Sequence, residues 1–326
     1  MWNFHAGGGK FRNIDLFAHA LEMRYGKAKD VSDLAWKSQA MTYEGQRAMF
    51  EAYGRNKYKS TGIIQWMLNN AWPGLIWHLY SYDLRPAGGY FGSKIALEPL
   101  HVQFSYDDRV VAVVNGKQTA QTGLKVVAKL YDISGAEKFS REASLDVPAD
   151  GVAKSIAIPE PADISSSYFL SLQLLSPAGQ LLSRNFYWIS TKPDVLDFAK
   201  TEWYYTPQTE FADFSALQDL PRASVRAAFH PAPRTEHDAD FHVVLENMGK
   251  SVAFLTRLRL VRGKEHTEIL PVFWSDNYIS LLPGEKREVS VHVRKSDLGA
   301  TAPELLLDGW NAERPASVRD VQMKDH

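Results

Sequence analysis

Three observations predict the fold class. Apolar residues recur at helical spacing up to about residue 100, one run inside that region is apolar on both faces, and from residue 101 hydrophobicity alternates with period two. Together they predict a mixed fold: the terminal strand and helices of an incomplete (β/α)8 barrel, followed by two immunoglobulin-like β-sandwich domains. The expected boundaries are 1–99 for the barrel remnant, 100–192 for the first sandwich, 193–222 for a structured linker and 223–326 for the second sandwich. At roughly 100–200 residues per domain, 326 residues accommodate that division.

Residues 13–25 read as a helix. Leu16, Phe17, Ala20, Leu21 and Met23 lie close to a 3.6-residue period, and Gly26 is the stop. Ser32 is the expected N-cap of a second helix reaching about Tyr53, with Trp36, Ala40, Tyr43 and Phe50 on one stripe and Gly54 at its end. Residues 63–68 read as a strand. Ile63, Ile64, Trp66, Met67 and Leu68 are apolar on both faces, the pattern of a strand buried in a parallel sheet. A short helix over 88–97 follows the Arg85-Pro-Ala-Gly-Gly loop, and Pro99 closes it. A doubly covered strand needs parallel neighbours, and the preceding residues offer none. The region therefore reads as the last strand and helix of an eight-stranded barrel, an architecture of about 250 residues when whole.

From His101 the pattern changes. Residues 101–106 and 109–114 alternate on either side of Asp107-Asp108, a hairpin signal. Further strands are expected over 124–131, 143–147, 155–158, 168–175 and 181–189, separated by turns at Ser134-Gly135, Ala149-Asp-Gly and Ser176-Pro177. So many short strands in about 100 residues suggest an immunoglobulin-like sandwich. A second set begins near Ala223 and continues over 241–247, 255–261, 269–274, 278–282, 287–293 and 305–310, with a tight turn at Leu282-Pro-Gly-Glu. The polar residues 311–326 read as a frayed tail.

Net charge is −1, so bulk electrostatics attract neither nucleic acid nor an anionic membrane surface. No apolar run reaches the ~18 residues of a membrane span. The first ten residues lack the basic and apolar regions of a signal peptide. Cysteine is absent, which removes disulfides, thiolate metal sites and a cysteine nucleophile. The histidines are isolated, and His101 reads as a surface or packing residue; no metal site and no cofactor are expected. Gly7-Gly8-Gly9-Lys10 lacks the preceding strand and following Ser/Thr of a phosphate loop.

Glycoside hydrolysis needs two carboxyl groups flanking the scissile bond. Glu22, Glu44 and Glu51 lie on helix faces with polar neighbours and read as solvated. Asp83 and Glu98 flank the last helix, and Asp107 and Asp108 form a turn. None stands at the C-terminal end of a buried strand, where barrel enzymes place catalytic groups, so no catalytic residue is assigned. What stands at such an end is Trp66, Asn69 and Trp72: a platform for a sugar ring, a carboxamide for a hydroxyl, and a wall. The same residues equally suit packing at a barrel rim.

The run Gly62-Ile-Ile-Gln-Trp-Met-Leu-Asn-Asn-Ala-Trp-Pro, then Leu75-Ile-Trp-His-Leu-Tyr, Gly89-Tyr-Phe-Gly-Ser-Lys, and Glu98-Pro-Leu-His-Val-Gln-Phe-Ser-Tyr-Asp-Asp-Arg resembles the C-terminal part of family 2 glycoside hydrolases. The resemblance is greatest to exo-β-D-glucosaminidases, which trim chitosan chains. Further matching blocks begin at Asn185, Glu202, Phe211 and Trp274, so that nearly the whole chain is covered. β-Mannosidases share the Trp, Leu-Asn and Trp pattern, which keeps β-mannosides open as substrates. The resemblance implies a retaining mechanism with one glutamate on barrel strand four and another on strand seven. It implies that both lie upstream of Met1, so that this chain is inactive alone and an upstream polypeptide of the same enzyme is its partner. Trp66 becomes the floor of the −1 subsite, with Asn69 and Trp72 beside it, for a β-linked amino-sugar oligosaccharide. The resemblance implies an exported parent. A different reading makes the two sandwiches a non-catalytic module that binds polysaccharide or protein through Trp188, Trp203, Tyr204 or Trp274.

Overall fold

Helix, strand and loop assignments follow from a computed structural model that describes residues 2–7, 9–11, 14–75, 78–161, 163–232, 235–312 and 318–319. The chain forms two units. One comprises 1–66 and 92–219, the other 67–91 and 220–326.

The first unit begins with α1 (Trp2–His5), α2 (Asp15–Tyr25) and α3 (Val31–Arg55). α2 ends at Gly26, whose φ of 73° is the left-handed conformation that glycine reaches without a Cβ penalty. Asn13, its expected first residue, lies outside the described residues. α3 starts earlier than its Ser32 signal. Asp30 is the N-cap, its Oδ1 accepting from Asp33 N at 2.8 Å. The helix also runs through Gly54 to Arg55, because a glycine costs a helix only about 1 kcal/mol, well within reach of packing. α4 (Gly88–Ala96) carries Gly92 against α3: a Cβ there would lie 2.2 Å from Tyr43 O.

The first sandwich contains β1 (Leu100–Phe104), β2 (Val110–Asn115), β3 (Gln121–Tyr131), β4 (Glu137–Val147), β5 (Gly151–Ala157), β6 (Ser167–Leu175) and β7 (Leu181–Ser190). Two antiparallel sheets, β1-β2-β5 and β4-β3-β6-β7, enclose a core that includes Val102, Phe104, Val113, Val126, Leu130, Leu170 and Leu172. The Asp107-Asp108 hairpin forms as expected, with Arg109 at φ 53°. Every residue of β1 is buried. Val102 and Phe104 enter the sandwich core. His101 and Gln103, on the opposite face by strand alternation, hydrogen-bond to Glu51 of α3.

α3 therefore buries a stripe the apolar pattern did not show. Lys37, Glu44, Arg47 and Glu51 occupy it together with Ala40. Glu44 and Glu51, read as solvated, are 7% and 2% exposed. Buried charges persist only when paired, and each of these is. Lys37 Nζ donates to Gly26 O and Lys27 O, both at 3.0 Å. Glu44 meets Arg24 at 2.5 Å, and Arg24 also reaches Asp194 at 2.7 Å. Arg47 donates to Phe186 O at 2.6 Å and lies 4.0 Å over the Tyr187 ring. Glu51 Oε1 accepts from His101 Nε2 at 2.9 Å, Asn185 Nδ2 at 2.7 Å and Tyr187 OH at 2.8 Å. His101 is thus neither isolated nor at the surface.

The linker folds onto the same unit. β8 (Val195–Leu196) pairs with β9 (Gln208–Glu210), and a 3-10 turn, Ser215–Asp219, follows. Phe214 and Leu217 are buried, and Gln218 Nε2 donates to Tyr25 O at 2.8 Å.

The second unit is built from β10 (Val225–Pro231), β11 (Asp238–Asn247), β12 (Ala253–Arg262), β13 (Thr267–Glu268), β14 (Phe273–Trp274), β15 (Ile279–Leu281), β16 (Lys286–Arg294), α5 (Lys295–Leu298), β17 (Glu304–Asp308) and β18 (Val318–Arg319). Its sheets run β10-β11-β16-β14 and β13-β12-β17-β18, with β15 also on β12. The strand expected over 269–274 shrinks to β14, since Pro271 has no N–H for a ladder. The tail expected from residue 311 is anchored at its start. Asn311 is buried, donating to Pro221 O and Val252 O and accepting from Phe254 N. Residues 67–91 belong to this unit through Arg85 Nε to Glu268 Oε2 at 2.8 Å and Phe91 against Tyr278.

The strand expected over 63–68 is not formed: these residues lie in no helix or strand. A strand exists only as part of a ladder, and no described strand pairs with this segment. Ile64, Trp66, Met67 and Leu68 stand exposed, with Ile64 at 88%, and Ile63 is half-buried.

Three outcomes follow from the buried stripe. Glu51→Ala leaves a histidine, an amide and a hydroxyl buried without their acceptor and should cost about 3–5 kcal/mol in urea unfolding. Gly92→Ala drives a methyl into the α3 backbone and should cost about 1–3 kcal/mol by the same measurement. The third outcome concerns pH. Burial opposes the charge on His101, but hydrogen bonds to Glu51 and Glu98, and their charges, outweigh it and raise the imidazole to about 9. The unfolded imidazole titrates near ~6.5. Its stabilisation is complete below that value and disappears as pH rises through about 9. Unfolding midpoints should therefore fall across that interval, and His101→Gln should flatten the fall.

Candidate functional site

Residues 61–75 carry the side chains that the sequence singles out. Trp66 is 70% exposed, Trp72 45%, and Asn69 is exposed as well. Leu68 and Leu75 stand out beside them. Met67 has φ 80°, a left-handed turn of the backbone just after Trp66. Trp66 closes the first segment of one unit, whereas Asn69 and Trp72 belong to the other.

Within the second unit the base of this loop is held by its backbone. Leu68 O accepts from both Leu79 N at 3.1 Å and Tyr80 N at 2.8 Å. Asn70 Nδ2 lies 3.4 Å from His78 Nδ1, and partial burial lowers the pKa of that imidazole. Tyr80 and Tyr90 meet at a ring separation of 4.8 Å. Asn70, His78 and Arg85 play parts in fixing this loop that the sequence reading missed. Their partners are set by how the loop folds back, and no local spacing marks them.

The chemistry this segment offers is recognition. Indole faces stack on the C–H face of a sugar ring, and a carboxamide donates and accepts toward hydroxyls. Residues 61–75 contain no carboxylate and no histidine, so they supply neither an acid nor a nucleophile. The carboxylates at the end of the helical region and in the first hairpin are engaged. Glu98 accepts from Ser183 at 2.7 Å, Asp107 pairs with Arg55 at 2.8 Å, Asp108 with Lys154 at 2.7 Å, and Asp83 with Ser81 and Arg85. The Glu51–His101 pair is closed to solvent and acts as a fastening. Among the described residues no group of three or more His, Cys, Asp or Glu is placed to hold a metal, and no helix is long and apolar enough to cross a membrane.

The other aromatic candidates separate by burial. Trp188 is core, donating from Nε1 to Tyr25 OH at 3.0 Å. Trp274, offered by the sequence as a surface binder, is 5% exposed, because it lies on β14 with its ring turned inward. Trp203 is 75% exposed and meets Phe11 and Tyr204 edge-on and tilted at 5.6 and 5.0 Å.

Comparison with known proteins gives this geometry a context. Residues 203–312 match the family described as the exo-beta-D-glucosaminidase Ig-fold domain, and residues 108–191 match the mannosidase Ig/CBM-like domain. The exo-beta-D-glucosaminidase of Streptomyces avermitilis is 40% identical over 311 residues, which are 92% of this chain and 34% of that protein. The exo-beta-D-glucosaminidase of Amycolatopsis orientalis is 38% identical over 92% of this chain and 30% of its own length. The crystal structure of the Amycolatopsis orientalis exo-chitosanase CsxA superposes with a TM-score of 0.92 at 36% identity, covering 97% of this chain and 38% of that one. A β-D-mannosidase from Dictyoglomus thermophilum shares the fold alone, with a TM-score of 0.69 at 16% identity. The chain thus spans about a third of the length of the curated relatives it matches. Its sequence and fold are those of the C-terminal part of a family 2 glycoside hydrolase of the exo-β-D-glucosaminidase type.

Proposed function

We propose that this chain is the C-terminal portion of a retaining glycosidase acting on β-linked glucosamine oligosaccharides of the chitosan type. In this reading it contributes part of the sugar-binding wall and none of the catalytic carboxyls. Trp66 is the floor under the −1 sugar, with Asn69 and Trp72 beside it. The acid/base and the nucleophile come from a polypeptide segment that completes the barrel, about 5–5.5 Å apart as retention requires. The chain alone is then inactive.

One observation carries the reading. A segment rich in aromatic and amide groups stands exposed, unpaired by any described strand, in a chain whose relatives are named exo-beta-D-glucosaminidases and are about three times longer. An apolar run of this kind is stable when another surface covers it. A neighbouring barrel strand covers the backbone ladder, and a sugar covers the indoles.

The exposed Trp203 supports a second reading, in which the chain is a non-catalytic module binding polysaccharide through Trp203 and Tyr204. The two readings part on turnover. The chain should be co-expressed with the complementary segment of the Amycolatopsis orientalis enzyme and assayed with a chromogenic β-D-glucosaminide. The first reading expects hydrolysis by the pair, none by the chain alone, and a loss of about tenfold or more in kcat/KM for Trp66→Ala. Turnover by the pure chain, abolished by one Glu→Gln change within it, overturns the first reading. Retarded migration in chitosan gels, lost in Trp203→Ala, with no turnover from any pairing, favours the second.

A further inference from the structure

Asn69 and Trp72 are carried by a segment that is tied down within the second unit. Leu68 O accepts from Leu79 N and Tyr80 N, and Leu79 O in turn accepts from Ala87 N at 3.0 Å. Residues 79–87 fold back on themselves as a small hairpin. Tyr80 bridges Pro86, Ser81 N donates to Arg85 O at 3.0 Å, and Leu84 N donates to Ser81 O at 2.9 Å. Leu68 hangs on this hairpin, so Asn69, the next residue, moves with it.

One side chain seats the hairpin on the second sandwich. The Arg85 guanidinium faces two carboxylates. Nη2 lies 3.2 Å from Asp83 Oδ2, inside the hairpin, and Nε donates to Glu268 Oε2 at 2.8 Å. Glu268 lies on β13 opposite Val261, and Ile269 N donates to Leu260 O at 2.8 Å. Leu260, Val261 and Ile269 are buried, so Glu268 extends from a backbone that packing locks. Removing its carboxylate leaves the Asp83–Arg85 pair and the hairpin hydrogen bonds in place. The hairpin is then unseated without being dissolved. The Arg85 side chain is 42% exposed and that of Glu268 15%. A pair this open to water shifts an equilibrium by about fivefold at most. That is too little to hold up the second unit, but enough to change how often Asn69 and Trp72 are presented in one place.

We propose that Glu268, acting through Arg85, is a positioning residue for the sugar-binding segment, so that the second sandwich sets where Asn69 and Trp72 stand. Its role toward a sugar rests on the function proposed above. The seating of the hairpin does not.

The test is amide hydrogen exchange on the 326-residue chain, together with kinetics of the completed pair described above. In Glu268→Ala the Leu79 and Tyr80 amides should exchange about threefold to fivefold faster, while the amides of β11 and the urea midpoint stay unchanged. Glu268→Gln keeps an acceptor for Arg85 Nε and should fall between the two. Raising salt to about 1 M should speed these two amides in the parent chain and not in Glu268→Ala, because screening weakens an exposed ion pair. In the completed pair, Glu268→Ala should raise KM about threefold to fivefold and leave kcat within about twofold, the signature of lost binding rather than lost chemistry. Exchange at Leu79 and Tyr80 indifferent to Glu268→Ala, exchange that quickens equally in β11, or an active pair with unchanged KM overturns the proposal. A pair that turns nothing over counts against the proposed function alone, and the exchange result then decides whether Glu268 seats the segment.

Discussion

The first unit depends on one carboxylate. Glu51 holds a histidine, an amide and a phenol on a single oxygen, where water does not reach. Taking a charge out of water costs several kcal/mol, which the three donors on Oε1 offset, while Oε2 is buried without a hydrogen-bond partner among the described residues. What the arrangement provides is register. α3 presents Lys37, Glu44, Arg47 and Glu51 along one stripe, and each meets a different partner: a helix end, an arginine of α2, a carbonyl of β7, and the β1–β7 pair. Sliding the helix by one turn would unpair all four. An apolar stripe centred on Ala40 would tolerate such a slip far better.

The second unit solves a similar problem with neutral groups. Asn277 accepts from Leu258 N and donates to Leu258 O, at 2.8 and 2.9 Å, and so replaces a strand partner where none runs. Asn247 and Asn311 do the same for the loops at residues 251–254 and 221. A carboxamide both donates and accepts, which suits backbone groups left over at strand ends, and it carries no charge to desolvate. The first unit joins α3 to the sheets through charged side chains, which meet both side chains and backbone carbonyls. The second closes sheet ends by side chain to backbone and uses amides.

Recognition and reaction are unequally represented in the chain. Aromatic and amide groups stand in solvent over 61–75, yet Glu44 and Glu51 are buried and Glu98, Asp107 and Asp108 are paired. Under the proposed function this asymmetry has a simple origin. A barrel enzyme draws its binding wall and its two carboxyls from different strands, and the strands that carry the carboxyls lie in another segment.

Local signals in the sequence were enough for most of the sandwich strands, the Asp107-Asp108 hairpin and the stop at Gly26. Each depends on neighbours a few residues apart, through alternation, turn propensity or a left-handed φ. The blocks quoted for family 2 likewise lie in contiguous sequence. Tertiary structure alone decided the rest. Counting apolar residues along α3 identified Ala40, Tyr43 and Phe50, but assigned Glu44 and Glu51 to solvent. A charged residue is buried only if a partner meets it, and the partners of Glu51 lie 50 and 136 residues away. Residues 63–68 err in the opposite direction. Their composition is that of a buried strand, but a strand is a property of at least two segments, and the ladder that would bury this one is absent among the described residues. Trp203 and Trp274 make the same point: identical side chains, one exposed in a turn and one buried on β14. Sequence by itself determined which way each local backbone turns; the fold decided which polar and aromatic groups meet a partner, because burial is settled by contacts that chain order does not record.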